Sequence, residues 1–340
     1  MGGATLPANV KWTSALRRLP SFHRLRYVKA AGLEGCVCAF KLASESSPIV
    51  VEAVSGRPMR LVPGDVFLGT PGYRESTRWV VGGIPKRGLV PGKTYWVIAE
   101  CGMVGDLIAG TPLAKTFLGQ AKYLGAVSGD DGRTLTLKQF AVRATDRAAD
   151  HRAPVYLIVG TSAEVGKTTA GLAVLRALLE YGDQTVIVLK ATGTSAITEI
   201  AAYQDYGAAQ VFDCVDFGLP STYPSNRKGM DRIFDRALDI CLSIPADAVL
   251  IECGGDLLGA NVPVVLKVLK RKRSRPRVIL TAADAFGAWG GMRMLRDMGL
   301  SVDLITGPCT DTPALRRRTQ TLCRTPAVNM IRTETEDALS

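Results

Sequence analysis

Residues 155–173 read VYLIVGTSAEVGKTTAGLA: an apolar run, a glycine turn, and a helix-forming stretch that opens on Gly166-Lys167-Thr168-Thr169. A buried strand, a tight loop and a helix in that order leave few folds open, because the chain must turn sharply at the strand's C-terminal end and start its helix there. Such a loop turns backbone N–H groups inward and places the positive end of the helix dipole at the same point, which is a site for phosphate. The residues that would line it are Gly160, Thr161, Ser162, Ala163, Glu164, Val165, Gly166, Lys167, Thr168 and Thr169. Lys167 would neutralise the terminal phosphates, and the Thr168 hydroxyl would ligate Mg²⁺, so a nucleoside triphosphate with Mg²⁺ is expected, the loop itself leaving ATP and GTP open.

The chain after residue 154 alternates apolar runs with helical patterns. Strands are expected at 155–159, 185–190, 211–216, 247–252, 277–282, 302–306 and 326–330, with helices near 167–181, 198–206, 230–242, 261–272, 286–298 and 312–323. Runs such as TVIVLK and RVILTA are apolar on both faces, as in a parallel sheet with right-handed crossovers. The expected fold class is α/β, a doubly wound parallel-sheet P-loop domain preceded by a small mainly-β domain. In that earlier part, short strand-like runs are separated by Pro63-Gly64, Pro71-Gly72 and Pro91-Gly92, and Ser128-Gly129-Asp130-Asp131-Gly132 reads as a hairpin loop. The stretch 141–154 is charged and ends in Pro154, as a boundary would. The expected organisation is a basic segment over 1–45, a mainly-β domain over 46–142, a linker over 143–154, the P-loop domain over 155–332 and a tail over 333–340.

The 340 residues include 47% hydrophobic and 21% charged, which describes a chain with a real core. No stretch of roughly 18 apolar residues crosses a membrane, and the N-terminus lacks a secretory pattern, so the expectation is a cytoplasmic protein. The net charge of +11 is densest over Lys267–Arg277, KVLKRKRSRPR. That run follows a helix and reads as a solvated turn near its C-terminus, and nucleic-acid binding is not expected. The eight cysteines are scattered and fit reduced, mostly buried thiols, with Cys253 and Cys309 at strand ends where either would line a site.

Polar residues recur where strands should end. Ala248–Glu252 is an apolar strand closed by a carboxylate, the place of a Mg²⁺ ligand beside a P-loop, and Gly254 and Gly255 follow it. Lys190 closes TVIVLK and runs into Thr192, Gly193 and Thr194, a set suited to the γ-phosphate or a substrate carboxylate. Asp213 or Asp216 would complete the metal shell, Asp216 being nearer the strand end. By topology Gly307, Pro308 and Asp311 would line the base pocket. In the first half, Gly72-Tyr73-Arg74-Glu75-Ser76-Thr77-Arg78 with Gly82-Gly83 is a polar, glycine-flanked loop. The two histidines, His23 and His151, lie in a basic segment and a linker, away from any hydrolase-like arrangement.

The shifted glycine of Gly160-Thr161-x-x-x-Val165-Gly166-Lys167-Thr168 resembles the GTxxxVGKT loop of dethiobiotin synthetases. With Ala191-Thr192-Gly193, Asp216-Phe217 and Ile251-Glu252 in this order, residues 155–332 are similar to the P-loop domain of the DgcN-type, D-glutamate N-acetyltransferase-like proteins. This chain departs from that family in having Glu252-Cys253-Gly254-Gly255-Asp256 for Glu-Gly-Gln-Gly. It departs from dethiobiotin synthetases in having Ala191 after Lys190, where they carry proline. The resemblance implies ATP as the nucleotide and γ-phosphate transfer to a carboxylate, carbamate or hydroxyl, with Lys167, Lys190 and Glu252 as the catalytic residues and Thr168, Asp216 and Glu252 at the metal. Lys190, Thr192, Gly193, Thr194, Gly254 and Gly255 would then meet a small-molecule acid or amine in a ligase- or kinase-like reaction. Two other readings stay open: a nucleotide-dependent switch, and an acyltransferase-like enzyme whose loop holds a phosphate-bearing cofactor. A homo-oligomer without membrane contact is expected.

Overall fold

The computed structural model describes residues 3–22, 25–75, 79–112, 118–143, 153–180, 182–224, 227–272 and 275–331. His23, His151, Ser76-Thr77-Arg78, most of the 143–154 linker, Arg273 and Ser274 of the basic run and the 333–340 tail lie outside them. The chain divides into two units: Met1–Val142 with Thr194–Thr198 and Cys214–Pro224, and Arg143–Gly193 with Glu199–Asp213 and Ser225–Ser340.

The first unit is mainly β. Its strands are β1 (Ala4–Thr5), β2 (Lys11–Trp12), β3 (Arg26–Val28), β4 (Cys38–Leu42), β5 (Ile49–Glu52), β6 (Pro58–Leu61), β7 (Val66–Pro71), β8 (Arg74–Glu75), β9 (Val80–Gly83), β10 (Thr94–Ala99), β11 (Met103–Gly110) and β12 (Gln120–Ser128). Ten of them form one sheet with the path β1-β3-β12-β4-β7-β11-β9-β8, while β5 and β6 pair as a separate hairpin. Phe40, Phe67 and Tyr123 fill one core, the two phenylalanine rings stacked at 5.5 Å. Burial of such rings is the main driving force for a sheet of this size.

Two expectations for this half are corrected. Residues 1–45 do not precede the β domain as a separate segment, because β1 to β4 lie in its sheet and Leu6, Leu16, Val37 and Ala39 pack with Leu68 and Val127. The strand expected after the Ser128–Gly132 hairpin loop is cut short: Thr134 and Thr136 make single antiparallel bridges with Ser128 and Cys36, and the chain then enters a 3₁₀ turn over Leu137–Phe140. Thr136 and Gln139 form a capping box, which satisfies backbone N–H groups locally and draws the chain out of the extended form. Also within this unit, the buried Glu52 carboxylate accepts from Ser14 Oγ, Thr198 Oγ1 and the backbone N–H groups of Ile197 and Thr198. Four donors offset the cost of removing that charge from water.

The second half of the sequence carries β13 (Val155–Gly160), β14 (Val186–Thr192), β15 (Gln210–Phe212), β16 (Ala248–Cys253), β17 (Arg277–Thr281) and β18 (Leu304–Thr306). Its described helices are α1 (Lys167–Glu180), α2 (Ile197–Asp205), α3 (Met230–Ser243), α4 (Val262–Arg271), α5 (Ala285–Asp297) and α6 (Pro313–Cys323). The six strands lie in the order β15-β14-β16-β13-β17-β18, all parallel. Every residue of β13, β14 and β16 is buried, as both faces of a doubly wound sheet require. The chain runs outward from β13 to β14 and β15, returns through β16, and crosses to β17 and β18, so ligands belong beyond the C-terminal ends near β13.

The third strand is shorter than expected and stops at Phe212, with Cys214–Phe217 in a 3₁₀ turn. The stretch 326–330 contributes a single parallel bridge, Ile305 with Ala327, and the next inward N–H, that of Met330, turns to the Thr306 hydroxyl instead of a backbone carbonyl. No described helix is long and apolar enough to cross a membrane.

All eight cysteines are free and buried. Burial pushes the thiols of Cys101 and Cys253 up to about 12 and that of Cys309 up to about 11, so thiolate is scarce near neutral pH. The thiols are expected to resist a disulfide reagent at pH 8 in the native protein and to react together once denaturant is added. Fast native-state labelling of Cys253 or Cys309 would contradict this.

Candidate functional site

The site is built where β13 ends. Thr161 N–H donates to the Thr281 carbonyl at 3.0 Å and Leu257 N–H donates to the Gly160 carbonyl at 3.1 Å, which pins the loop to its neighbours. A Cβ on Gly160 would lie 2.8 Å from both Lys167 Cδ and Thr281 Oγ1, so the loop closes on the lysine stem only because that position has no side chain. Glu164 and Gly166 take the left-handed conformation, with φ of 61° and 84°, and turn the chain into α1. The first N–H groups of α1 have no intrahelical acceptor, which makes this helix start a place for an anion.

Lys167 is 7% exposed, and its Nζ donates to the Ser162 carbonyl at 2.8 Å, across the loop. Burial lowers its pKa from the usual lysine value, partly offset by Glu252. A phosphate inside the loop would add counter-charge at this ammonium and favour its charged form.

Glu252, at 1% exposure, is the centre of the arrangement. Parallel pairing sets it directly beside Lys190 on β14 and beside Ile158 on β13. Its Oε1 accepts from Thr168 Oγ1 at 3.0 Å and lies 3.5 Å from Lys190 Nζ, while its Oε2 accepts from the Tyr203 hydroxyl at 2.6 Å. Lys190 Nζ also donates to Glu199 Oε2. Although burial works against its charge, Glu252 and Glu199 together hold Lys190 above the ordinary lysine value. Desolvation and the Glu252 carboxylate push Tyr203 well up, so its hydroxyl stays a donor.

Beyond these strands, β14 is bulged between Lys190 and Thr192, and Thr192 and Gly254 clasp each other. Thr192 Oγ1 donates to the Gly254 carbonyl at 2.7 Å and Gly254 N–H donates to the Thr192 carbonyl at 3.1 Å. Gly193 and Gly255 flank this clasp on the loops that leave the strands. Thr194 is placed with the first unit and makes an antiparallel bridge with Ser221. A cleft of about 180 Å³ opens on the other side of the loop, lined by Glu164, Val165, Gly166 and Thr169 and by Gly307, Pro308 and Asp311. A Cβ on Gly307 would sit 2.8 Å from the Val165 carbonyl, so glycine there lets the segment lie against the phosphate loop. Asn329 Nδ2 donates to Asp311 Oδ1 at 3.1 Å and steadies that carboxylate.

The structure therefore brings together Lys167, Thr168, Lys190 and Glu252, and lays Gly307, Pro308 and Asp311 along a cleft beside the loop. Asp216 lies in the 3₁₀ turn after the shortened β15, in the first unit, with its carboxylate 3.6 Å from Arg18. Asp213 is buried at 1% exposure just past β15. Lys190 is not an open anion holder, because two carboxylates occupy it, and Cys253 and Cys309 are buried rather than lining a site. Tyr203 and Glu199 escaped the sequence reading; their spacing of four residues on α2, which puts both on one face, was the available signal.

The donor chemistry fits a nucleotide with Mg²⁺. The loop offers N–H groups and an ammonium to phosphate, and a hydroxyl oriented by a carboxylate to a hard cation. Among the described residues no three His, Cys, Asp or Glu side chains gather as a metal-binding group. Thr168 is thus the side chain that would meet the ion, with Glu252 accepting the Thr168 proton and turning its lone pair outward.

No protein-family model matches the chain, and no curated protein matches it in sequence. Among solved structures it is similar to chloroplast FtsY from Physcomitrella patens, at 16% identity and a TM-score of 0.37 over 56% of this chain and 62% of that one. It is similar to the cell division protein FtsY from Thermotoga maritima, at 17% identity and a TM-score of 0.38 over 56% and 65%. A ParA family ATPase from Chlorobium tepidum gives 12% identity and a TM-score of 0.35 over 52% and 82%. The chain thus spans less than two thirds of the length of the two FtsY chains. The strand, loop and helix around Lys167, on a doubly wound parallel sheet, define a P-loop domain.

Removing one member of a buried ion pair leaves the other uncompensated, at about 3–5 kcal/mol. Lys190→Ala is expected to lower unfolding stability by about that amount, measured by denaturant titration, and adding Glu252→Gln should recover part of the loss. Because Lys190 is raised in the folded state, its contribution should be complete below the ordinary lysine value of 10.5. It should be lost only as pH climbs through the higher folded value. A wild-type stability loss between pH 6 and pH 9 that Lys190→Ala abolishes would contradict the assignment.

Proposed function

We propose that the P-loop unit is a Mg²⁺-dependent enzyme that binds ATP and transfers its γ-phosphate to a small-molecule carboxylate, carbamate or hydroxyl, as a ligase or synthetase. The observation that carries this reading is the convergence of Lys167, Thr168 and Glu252 at the end of β13, with the Gly307–Asp311 segment along the adjoining cleft. Phosphoryl transfer needs positioning and charge stabilisation more than a protein nucleophile. Lys167, freed from the Ser162 carbonyl, would balance charge on the transferred group, and the loop N–H groups would hold it in line. Thr168 would hold Mg²⁺, which would supply positive charge to the phosphates. The Thr192–Gly254 clasp with Gly193 and Gly255 offers a backbone floor for an acceptor beyond β14 and β16.

Lys190 has a different part in this reading from the one its sequence position suggests. Paired with Glu199 and Glu252, it fixes the carboxylate beside Thr168 rather than receiving a substrate anion. The resemblance of the Gly160–Thr168 loop to dethiobiotin synthetases favours ATP and an acid acceptor.

Equilibrium titration of the wild type with Mg²⁺-ATP and Mg²⁺-GTP, followed by phosphate release with panels of carboxylic acids and amines, tests the reading. Lys167→Ala is expected to weaken triphosphate binding at least about tenfold, the effect of losing one charge-assisted hydrogen bond. Phosphate release should rise when an acceptor is present. Absence of triphosphate binding by the wild type, or binding indifferent to Lys167, would sink it.

A further inference from the structure

Helix α1 carries a glycine at position 171, in its second turn, where alanine is ordinarily better by about 1 kcal/mol. Its neighbour explains it: a Cβ there would stand 1.9 Å from the Tyr203 hydroxyl oxygen and 2.9 Å from Cζ of the same ring. The Tyr203 ring is wholly buried in the core under the sheet, with Val174, Leu175 and Leu250, and its hydroxyl donates to Glu252 Oε2. The gap in α1 is therefore the passage through which one phenol reaches one carboxylate oxygen.

That contact divides the labour of Glu252. A carboxylate has two oxygens and turns about its last bond, so a buried Glu252 facing Lys190 and Thr168 has more than one way to pair. Tyr203 engages Oε2, which leaves Oε1 toward the Thr168 hydroxyl and Lys190 Nζ. Thr168 then keeps its proton on Glu252 and its lone pairs toward the loop. We propose that Tyr203, admitted by Gly171, is a positioning residue that orients Glu252 so that Thr168 presents its oxygen to the divalent cation accompanying the nucleotide. The inference rests on the reading of the loop as a Mg²⁺-nucleotide site and assigns the metal's share of the affinity to a side chain that touches neither metal nor phosphate. Outer partners of this kind typically change metal affinity about 10- to 100-fold when removed.

The test separates the metal's contribution from the nucleotide's. Binding of fluorescent N-methylanthraniloyl ATP and GTP is measured in EDTA and over a Mg²⁺ titration, for the wild type, Tyr203→Phe and Gly171→Ala. Tyr203→Phe keeps the ring that fills the core and loses only the hydroxyl, and Gly171→Ala keeps the hydroxyl and displaces it. Both variants should raise the Mg²⁺ concentration for half-maximal binding about tenfold or more. Nucleotide affinity in EDTA should stay within about twofold of the wild type, a split that simple loosening of the core would not produce. Unchanged Mg²⁺ dependence in Tyr203→Phe, or an equal loss with and without Mg²⁺, would overturn the proposal while leaving the nucleotide site standing. Failure of the wild type to bind either nucleotide would overturn both.

Discussion

A carboxylate held at 1% exposure inside a parallel sheet is the demand around which the second unit is organised. Left alone, a charge in that position costs several kcal/mol, so its neighbours are fixed by what it needs. Parallel register supplies Lys190 from β14, the loop helix supplies the Thr168 hydroxyl, and α2 supplies Tyr203. Each comes from a different element, and none of the three is next to Glu252 in the chain. The packing of β13, β14, α1 and α2 about β16 is thus tied to the satisfaction of one side chain. The Lys167 loop inherits its position from the same arrangement, since β13 pairs with β16 up to Ile158 and Glu252.

Much of the fold was legible because its signals are local. A run of four or more apolar residues bounded by turns reads as a buried strand, and Val155–Gly160, Val186–Thr192 and Ala248–Cys253, the last two with Lys190 and Glu252 near their ends, appear as such. The loop was equally readable, since glycine, lysine and threonine at fixed offsets act through backbone geometry rather than distant packing. What escaped depends on partners far away in sequence. Strands of two or three residues such as Ala4–Thr5 and Arg26–Val28 are too short to show a period of two, and only their pairing with β12 and each other makes them strands. Thr136 and Gln139 outweighed the β-rich texture of their surroundings through two local hydrogen bonds. Asp216 looked like a strand-end ligand because the expected strand ran four residues too far; the chain had already turned at Phe212.

The site was legible as a set of positions and not as a set of pairings. Lys190 has the residue type and place of an anion holder, but its register beside Glu252 and its reach to Glu199 convert it into an internal counter-ion. Tyr203 illustrates the converse. A tyrosine on an amphipathic helix reads as core, and it is core over its ring, while its hydroxyl passes the bare Cα of Gly171 to reach Glu252.

The clasp between Thr192 and Gly254 has a mechanical consequence. Two reciprocal hydrogen bonds tie the points at which β14 and β16 release the chain, so the segments leaving those strands share one anchor. A push on either is felt by both, and because the knot is drawn just past Lys190 and Glu252, whatever tugs at it pulls on the ion pair as a lever pulls on its fulcrum.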